Sequence, residues 1–281
     1  MIVRHKNNIV SSYNTKSAAV LITKSYLKCD IISWVDHYLN WCGFDHIYIF
    51  DNETTCCNIS ELFKNNNRVT VSYITYNDLI KRGGQCGIYS MVLKNNPDTY
   101  IAFFDDDEYL WFDKTKWQTI NSFIAKLIKN NITCYFIPWL FMSYNSNDIK
   151  YNRTEPMKDC CKYTGYDINK HFEFIIGKSI VKYNNQRFGN PHFPDNTQMY
   201  YSLNPIKTLV ADDIWKLGNI KKPDLFLVHY YHRSITEWNE KLNRKRIDCL
   251  NKTYRDCYIE ENKNNMVYPK NVYKYYTDLF K

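Results

Sequence analysis

Short apolar runs alternate with amphipathic stretches through the first half of the chain. Ala18 to Thr23 (AAVLIT) reads as a buried strand, and Asp30 to Cys42 as a helix with Ile31, Trp34, Val35 and Tyr38 on one face. Gly43 is placed to stop that helix, since glycine accepts positive φ. His46 to Phe50 is a second predicted strand and Ile59 to Asn65 a short helix. Val69 to Thr75 is a β-branched strand, Gly84 to Asn95 a helix and Tyr100 to Phe104 a fourth strand. This rhythm predicts an α/β fold with a mainly parallel sheet and helices on both faces. Ligands of such sheets bind beyond the carboxyl ends of the strands.

The pattern weakens beyond Trp111. A helix is expected over Thr115 to Lys129, a strand over Thr133 to Pro138 and a polar loop over Asn145 to Thr164. Phe172 to Val181 and Leu225 to Tyr231 read as strands, and Thr236 to Leu250 as a helix capped by Ser234. No repeat, low-complexity tract or Pro/Gly/Ser linker divides the chain. A single domain over 1–281 is therefore expected, with a helical tail from 234 onward.

Composition adds exclusions. With 281 residues, 44% hydrophobic and 23% charged, collagen-like, coiled-coil and disordered classes drop out. No run approaches the length of a spanning helix. Neither Cys-x-x-Cys nor zinc-finger spacing occurs among the 10 cysteines, so free thiols in a reducing compartment are expected. A cytoplasmic protein, soluble or membrane-peripheral, follows as the expectation. The formal charge of +8 is dispersed except for Lys241 to Arg246, which reads as a solvated helix face. No specific nucleic-acid signature accompanies it.

The chemistry concentrates in AFFDDDEYL, Ala102 to Leu110. A hydrophobic strand running straight into four carboxylates needs a counter-charge, because like charges raise one another's pKa. One reading is a solvated acidic turn. The other is a hard divalent cation held by oxygen ligands, and the position at a strand's carboxyl end favours it. Asp105 and Asp107, one residue apart, would face the same way in an extended segment, with Asp106 opposite.

Three motifs here resemble the GT-A fold glycosyltransferases of the family 92 and family 2-like group. They are WVDHYLNWCGFDHIYIFDN (Trp34 to Asn52), Gln85 and Tyr89 spaced before FFDDDEYL, and HYYHRSITEWNEKLNRKR (His229 to Arg246). The resemblance implies a GT-A-like domain, with residues 17–110 as the nucleotide-sugar half and 111–233 as the acceptor half. It implies transfer of a sugar from a nucleotide-sugar donor, with UDP favoured, to a hydroxyl of a glycan, protein or small molecule. It also implies a Mn2+ or Mg2+ cofactor on Asp105, Asp107 and His229, with His232 as fallback ligand. Lys24, Asp51, Arg82, Gln85 and Asp106 would serve the donor, and Trp139, Tyr144 and His192 the acceptor. Trp111 and Phe141 are further aromatic candidates on that side.

An inverting reaction needs a carboxylate base. Asp148 is named first, ahead of Glu155, Asp159 and Asp195; a retaining reaction has no such need. The sequence departs from the family at Thr23-Lys24-Ser25-Tyr26, where an Asn-Glu pair usually stands. A non-catalytic nucleotide- or carbohydrate-binding relative is therefore the alternative, followed by a nucleotidyl-transfer or nucleic-acid-binding protein.

Overall fold

The computed structural model describes residues 17–141, 154–156, 177–195, 197–203, 205–210, 223–230 and 235–243. Its strands are β1 (Ser17–Thr23), β2 (His46–Asp51), β3 (Val69–Tyr73), β4 (Tyr100–Phe103) and β5 (Glu108–Phe112). They continue with β6 (Cys134–Phe141), β7 (Gly177–Lys182), β8 (Gln198–Leu203), β9 (Ile206–Val210) and β10 (Leu225–His229). The helices are α1 (Lys28–Asp36), α2 (Ile59–Phe63), α3 (Tyr76–Lys81), α4 (Gly84–Asn95), α5 (Ile120–Lys129) and α6 (Ile235–Asn243), with a π-helical turn over His37–Cys42.

One sheet runs in the order β3-β2-β1-β4-β7-β6-β10-β5, and β8 and β9 continue from β6. β1 to β4 are mutually parallel, β7 runs antiparallel to both β4 and β6, and β10 lies parallel to β6. β5 lies antiparallel on β10. The sheet is thus mixed and mostly parallel. The first-half rhythm fixes only β1 to β4, whose helical crossovers make them parallel. β6 has three partner strands: residues 134–138 pair with β7, Tyr135 with Tyr200 of β8, and 139–141 with β10.

Alternation along the inner strands builds a core on each face. Ala19, Leu21, Ile47, Ile49 and Ala102 face α1, the π-helical turn and α5. Ala18, Val20, Tyr48, Phe50, Ile101 and Phe103 face Ile88, Tyr89, Val92 and Leu93 of α4. Each fully buried aliphatic or aromatic side chain contributes about 1.5–3 kcal/mol. The inner strands read as unbroken apolar runs because both faces are covered.

Several element ends differ from expectation. The helix expected over residues 30–42 is α1 followed by the π-helical turn, and Gly43, at φ 78°, ends it as predicted. The helix expected from Thr115 begins only at Ile120. Asp113 accepts from the Thr115 amide and hydroxyl, turning the chain, and Thr119 and Ser122 form a reciprocal capping box. α3, β5, β8 and β9 stand where no element was expected. α6 covers residues 235–243, and Ser234 with residues 244–250 lies outside the described residues. Among the described residues no helix is long and apolar enough to cross a membrane.

Candidate functional site at the carboxyl edge of the sheet

Strand direction decides which side chains meet. β1, β2, β4, β6 and β10 all end at one edge, and the antiparallel β5 and β7 begin there. That edge gathers Thr23, Asp51, the turn at 104–107, Glu108, Lys178 and His229. Parallel pairing sets Thr23 opposite Asp51, and antiparallel pairing sets His229 opposite Glu108.

The acidic turn is held by its backbone. The Phe104 amide donates to Val20 O, Trp34 Nε1 to Asp105 O, and the Tyr230 amide to Asp107 O. Within the turn the Glu108 amide donates to Asp105 O, and Glu108 Oε2 accepts from the Asp105 amide at 3.0 Å. Tyr38, stacked on Phe104, donates its hydroxyl to Glu108 O.

The three aspartates have different partners. Asp105 Oδ2 lies 3.0 Å from Lys178 Nζ. Asp106 Oδ2 accepts from the Thr23 hydroxyl at 3.0 Å. Asp107 Oδ1 is 3.4 Å from His229 Nε2, and its Oδ2 is 3.6 Å from Lys241 Nζ on α6. Lys241 is thus turned to the acidic turn, whereas the sequence reads it as part of a solvated face.

Lys178 belongs to this cluster, and the sequence does not single it out. It is 1% exposed, beside Asp105 and 3.8 Å from the fully buried Glu108. Burial opposes its charge, but Asp105 and then Glu108 outweigh this and hold its pKa above the usual lysine range. Burial pushes the Glu108 carboxyl well up, and Lys178 only partly offsets it. In a strand reading GKSIVK a lysine looks like the solvent face. Only the unbalanced charge of the acidic block hinted at a buried cation.

The second wall is a turn clamped to the start of β7. His192 Nδ1 donates to Gly177 O at 3.0 Å, Ser179 Oγ to His192 O and Lys178 Nζ to Pro191 O. Asn190 Oδ1 accepts from the His192 and Phe193 amides. The bond from Nδ1 to Gly177 O fixes the His192 tautomer and leaves Nε2 as the acceptor nitrogen. Burial, then Lys178, lowers its pKa to about 4. The Trp139 ring lies between two imidazoles, 5.2 Å from His192 and 4.4 Å from His229.

The remaining candidates lie further from the turn. Asp51 Oδ1 caps its own loop at the Thr54 amide, and Lys24 pairs with Glu53 at 3.7 Å. Arg82 is exposed and Gln85 half-buried, either side of the Gly83-Gly84 turn that opens α4. Since α4 leads back to the start of β4, that turn belongs to the same edge. Glu155 and Asp195 are exposed. Trp111 packs on Trp41 and His37, a core position. Tyr144, Asp148, Asp159 and His232 lie outside the described residues.

Among the described residues no three His, Cys, Asp or Glu side chains form a group that would hold a metal ion by themselves. Asp107 and His229 supply an oxygen and a nitrogen 3.4 Å apart. Donors at about 2.1 Å from an octahedral cation stand about 3 Å from each other. The spacing of this pair is compatible with two adjacent positions of such a shell.

No protein-family model matches the chain, and no curated protein matches it. Among solved structures it is similar to the crystal structure of S. aureus TarS 1-349, at 16% identity and a TM-score of 0.34. That match covers 59% of this chain and 47% of the other. It is also similar to a second crystal structure of S. aureus TarS, at 17% identity and a TM-score of 0.28, covering 50% of this chain and 23% of that one. The chain therefore matches less than half the length of either.

Proposed function

We propose that the chain is a glycosyltransferase that moves a sugar from a nucleotide-sugar donor, favouring UDP, to a hydroxyl of a glycan, protein or small molecule. One observation carries this reading: Thr23, Asp105 to Asp107 and His229 meet at the carboxyl edge of a mostly parallel sheet, with Asp107 and His229 3.4 Å apart. The family resemblance of the motifs supplies the reaction.

As the bond to the sugar breaks, negative charge builds on the departing diphosphate. Asp107 and His229 would hold a divalent cation, Mn2+ or Mg2+, which when bound supplies Lewis-acid compensation of that charge. Asp105 borders the same turn and is neutralised by Lys178. Asp106, oriented by Thr23, and Asp51 serve the nucleoside. Lys24, Arg82 and Gln85 ring the donor side. Trp139, buried with its ring between His192 and His229, lines the acceptor side, and His192 Nε2 accepts a hydrogen bond from an acceptor hydroxyl. Tyr144 as an acceptor contact and Asp148 as base rest on the sequence alone.

A thermal-shift screen of nucleotide sugars, with and without Mn2+, tests the reading, because a ligand of the folded state raises its melting point. A shift that requires both sugar nucleotide and Mn2+, followed by donor hydrolysis or transfer, is expected. Absence of any nucleotide response would overturn it. The departure at Lys24, which pairs with Glu53, favours a second reading as a non-catalytic binder. Donor binding without hydrolysis or transfer across a broad acceptor panel would establish that one.

A further inference from the structure

Lys178 is 1% exposed, and its ammonium has three oxygen neighbours from two separate segments. Two belong to the acidic turn, Asp105 Oδ2 at 3.0 Å and Glu108 Oε1 at 3.8 Å. The third is the Pro191 carbonyl at 3.4 Å, in the turn that carries His192. The residues flanking Lys178 hold that same turn, Gly177 through the His192 ring and Ser179 through the His192 carbonyl. A buried ammonium is costly unless its partners are fixed around it. Water would satisfy a surface lysine equally well, so burial here makes the three contacts obligatory.

We propose that Lys178 is a positioning residue that ties the acidic turn to the His192 turn, setting the distance between the diphosphate side and the acceptor side. Asp105 and Glu108, drawn back to Lys178, leave Asp107 as the carboxylate of the turn paired with His229. This deepens the glycosyltransferase reading and rests on it for the names of the two sides, but the mechanical tie itself does not depend on which ligand binds.

Lys178→Met alone would leave the fully buried Glu108 and the partly exposed Asp105 without their cation and would destabilise the chain for that reason. The informative comparison is Lys178→Met/Glu108→Gln against Glu108→Gln. The glutamine keeps an acceptor for the Asp105 amide, and the double variant leaves no unpaired charge at the fully buried position 108. Both variants are expected to melt within a few degrees of each other. Hydrogen exchange of the ligand-free proteins is expected to be about tenfold faster or more in the double variant, at both 104–108 and 190–193, the scale of one lost charge-assisted hydrogen bond. Calorimetry with UDP and Mn2+ is expected to show a comparable loss of affinity.

Equal exchange at either turn in the two variants would overturn the tie. Faster exchange at both turns with unchanged UDP affinity would overturn its role in setting the site. If neither the wild type nor the variants bind UDP while exchange responds as expected, the glycosyltransferase reading falls and the tie stands. If the double variant does not fold, Lys178→Arg in the wild-type background supplies the readout. The retained cation is then expected to preserve protection at both turns, and its loss at either would overturn the proposal.

Discussion

His229 brings its Nε2 to 3.4 Å from Asp107 Oδ1 because β10 and β5 lie antiparallel with His229 opposite Glu108. Both side chains are buried, and Lys241 reaches the other oxygen of Asp107 from α6. A carboxylate so enclosed is retained at a cost in desolvation unless cations accompany it.

Asp107→Asn removes the charge and keeps the shape. Turnover of the donor is expected to fall by about a hundredfold or more, the scale of losing one preorganised electrostatic contact. The circular dichroism spectrum should be unchanged. Mn2+ should no longer tighten UDP binding in calorimetry, whereas in the wild type EDTA should abolish that tightening. A variant that keeps Mn2+-dependent UDP binding would remove Asp107 from the site.

Thr23→Val tests the proposed donor side. The Thr23 hydroxyl donates to Asp106 Oδ2 at 3.0 Å, and its partner strand β2 presents Asp51 at the same level. Without that bond Asp106 loses the hydroxyl that orients its Oδ2. The KM for the sugar nucleotide should rise about tenfold, as for a hydrogen bond to a charged group, with kcat much less affected. An unchanged KM would show that Asp106 does not face the donor.

The legible parts of the sequence were those whose environment is uniform. β1, β2 and β4 are covered on both faces, so they read as continuous apolar runs, and α4 was expected with its observed bounds. β5 was hidden because it begins inside the acidic block, where Glu108 is buried by Lys178 and Tyr38 rather than by apolar neighbours. β8 is half-exposed and carries two adjacent tyrosines, and β9 is exposed over 206–208, so neither shows a clean alternation. The family resemblance groups Asp105, Asp107 and His229; the structure sets His229 beside Asp107 and turns Asp105 to Lys178. Lys178 and Lys241 were not expected there, because a lysine's partner lies far along the chain and leaves no local spacing.

Gly177→Ala probes the proposed acceptor wall through the backbone. A Cβ at Gly177 would stand 2.0 Å from the Ile137 carbonyl oxygen, across the β6–β7 pairing. The strands must separate to admit it, and overpacking of this kind costs about 1–3 kcal/mol. The Gly177 carbonyl, which accepts from His192 Nδ1 and orients that ring, would move with it. A lower denaturation midpoint is expected together with a lower transfer rate at unchanged donor KM. Wild-type stability would mean that β6 and β7 are not packed this closely.

Acid stability should carry the mark of His46, far from the site. Its Nε2 is 2.9 Å from Thr70 Oγ1, and the ring is buried. Burial, then the nearby Arg68 guanidinium, lowers its pKa from 6.5 to about 4. Between those two values the unfolded chain takes up a proton that the folded chain refuses, so stability is lost as pH falls through that window. His192 is lowered to about 4 as well and acts in the same direction. His46→Gln keeps a hydrogen-bonding partner for Thr70 and removes one titration. Its melting temperature should therefore decline less steeply than that of the wild type from pH 6.5 toward 4, and parallel declines would mean that His46 is protonated in the folded state.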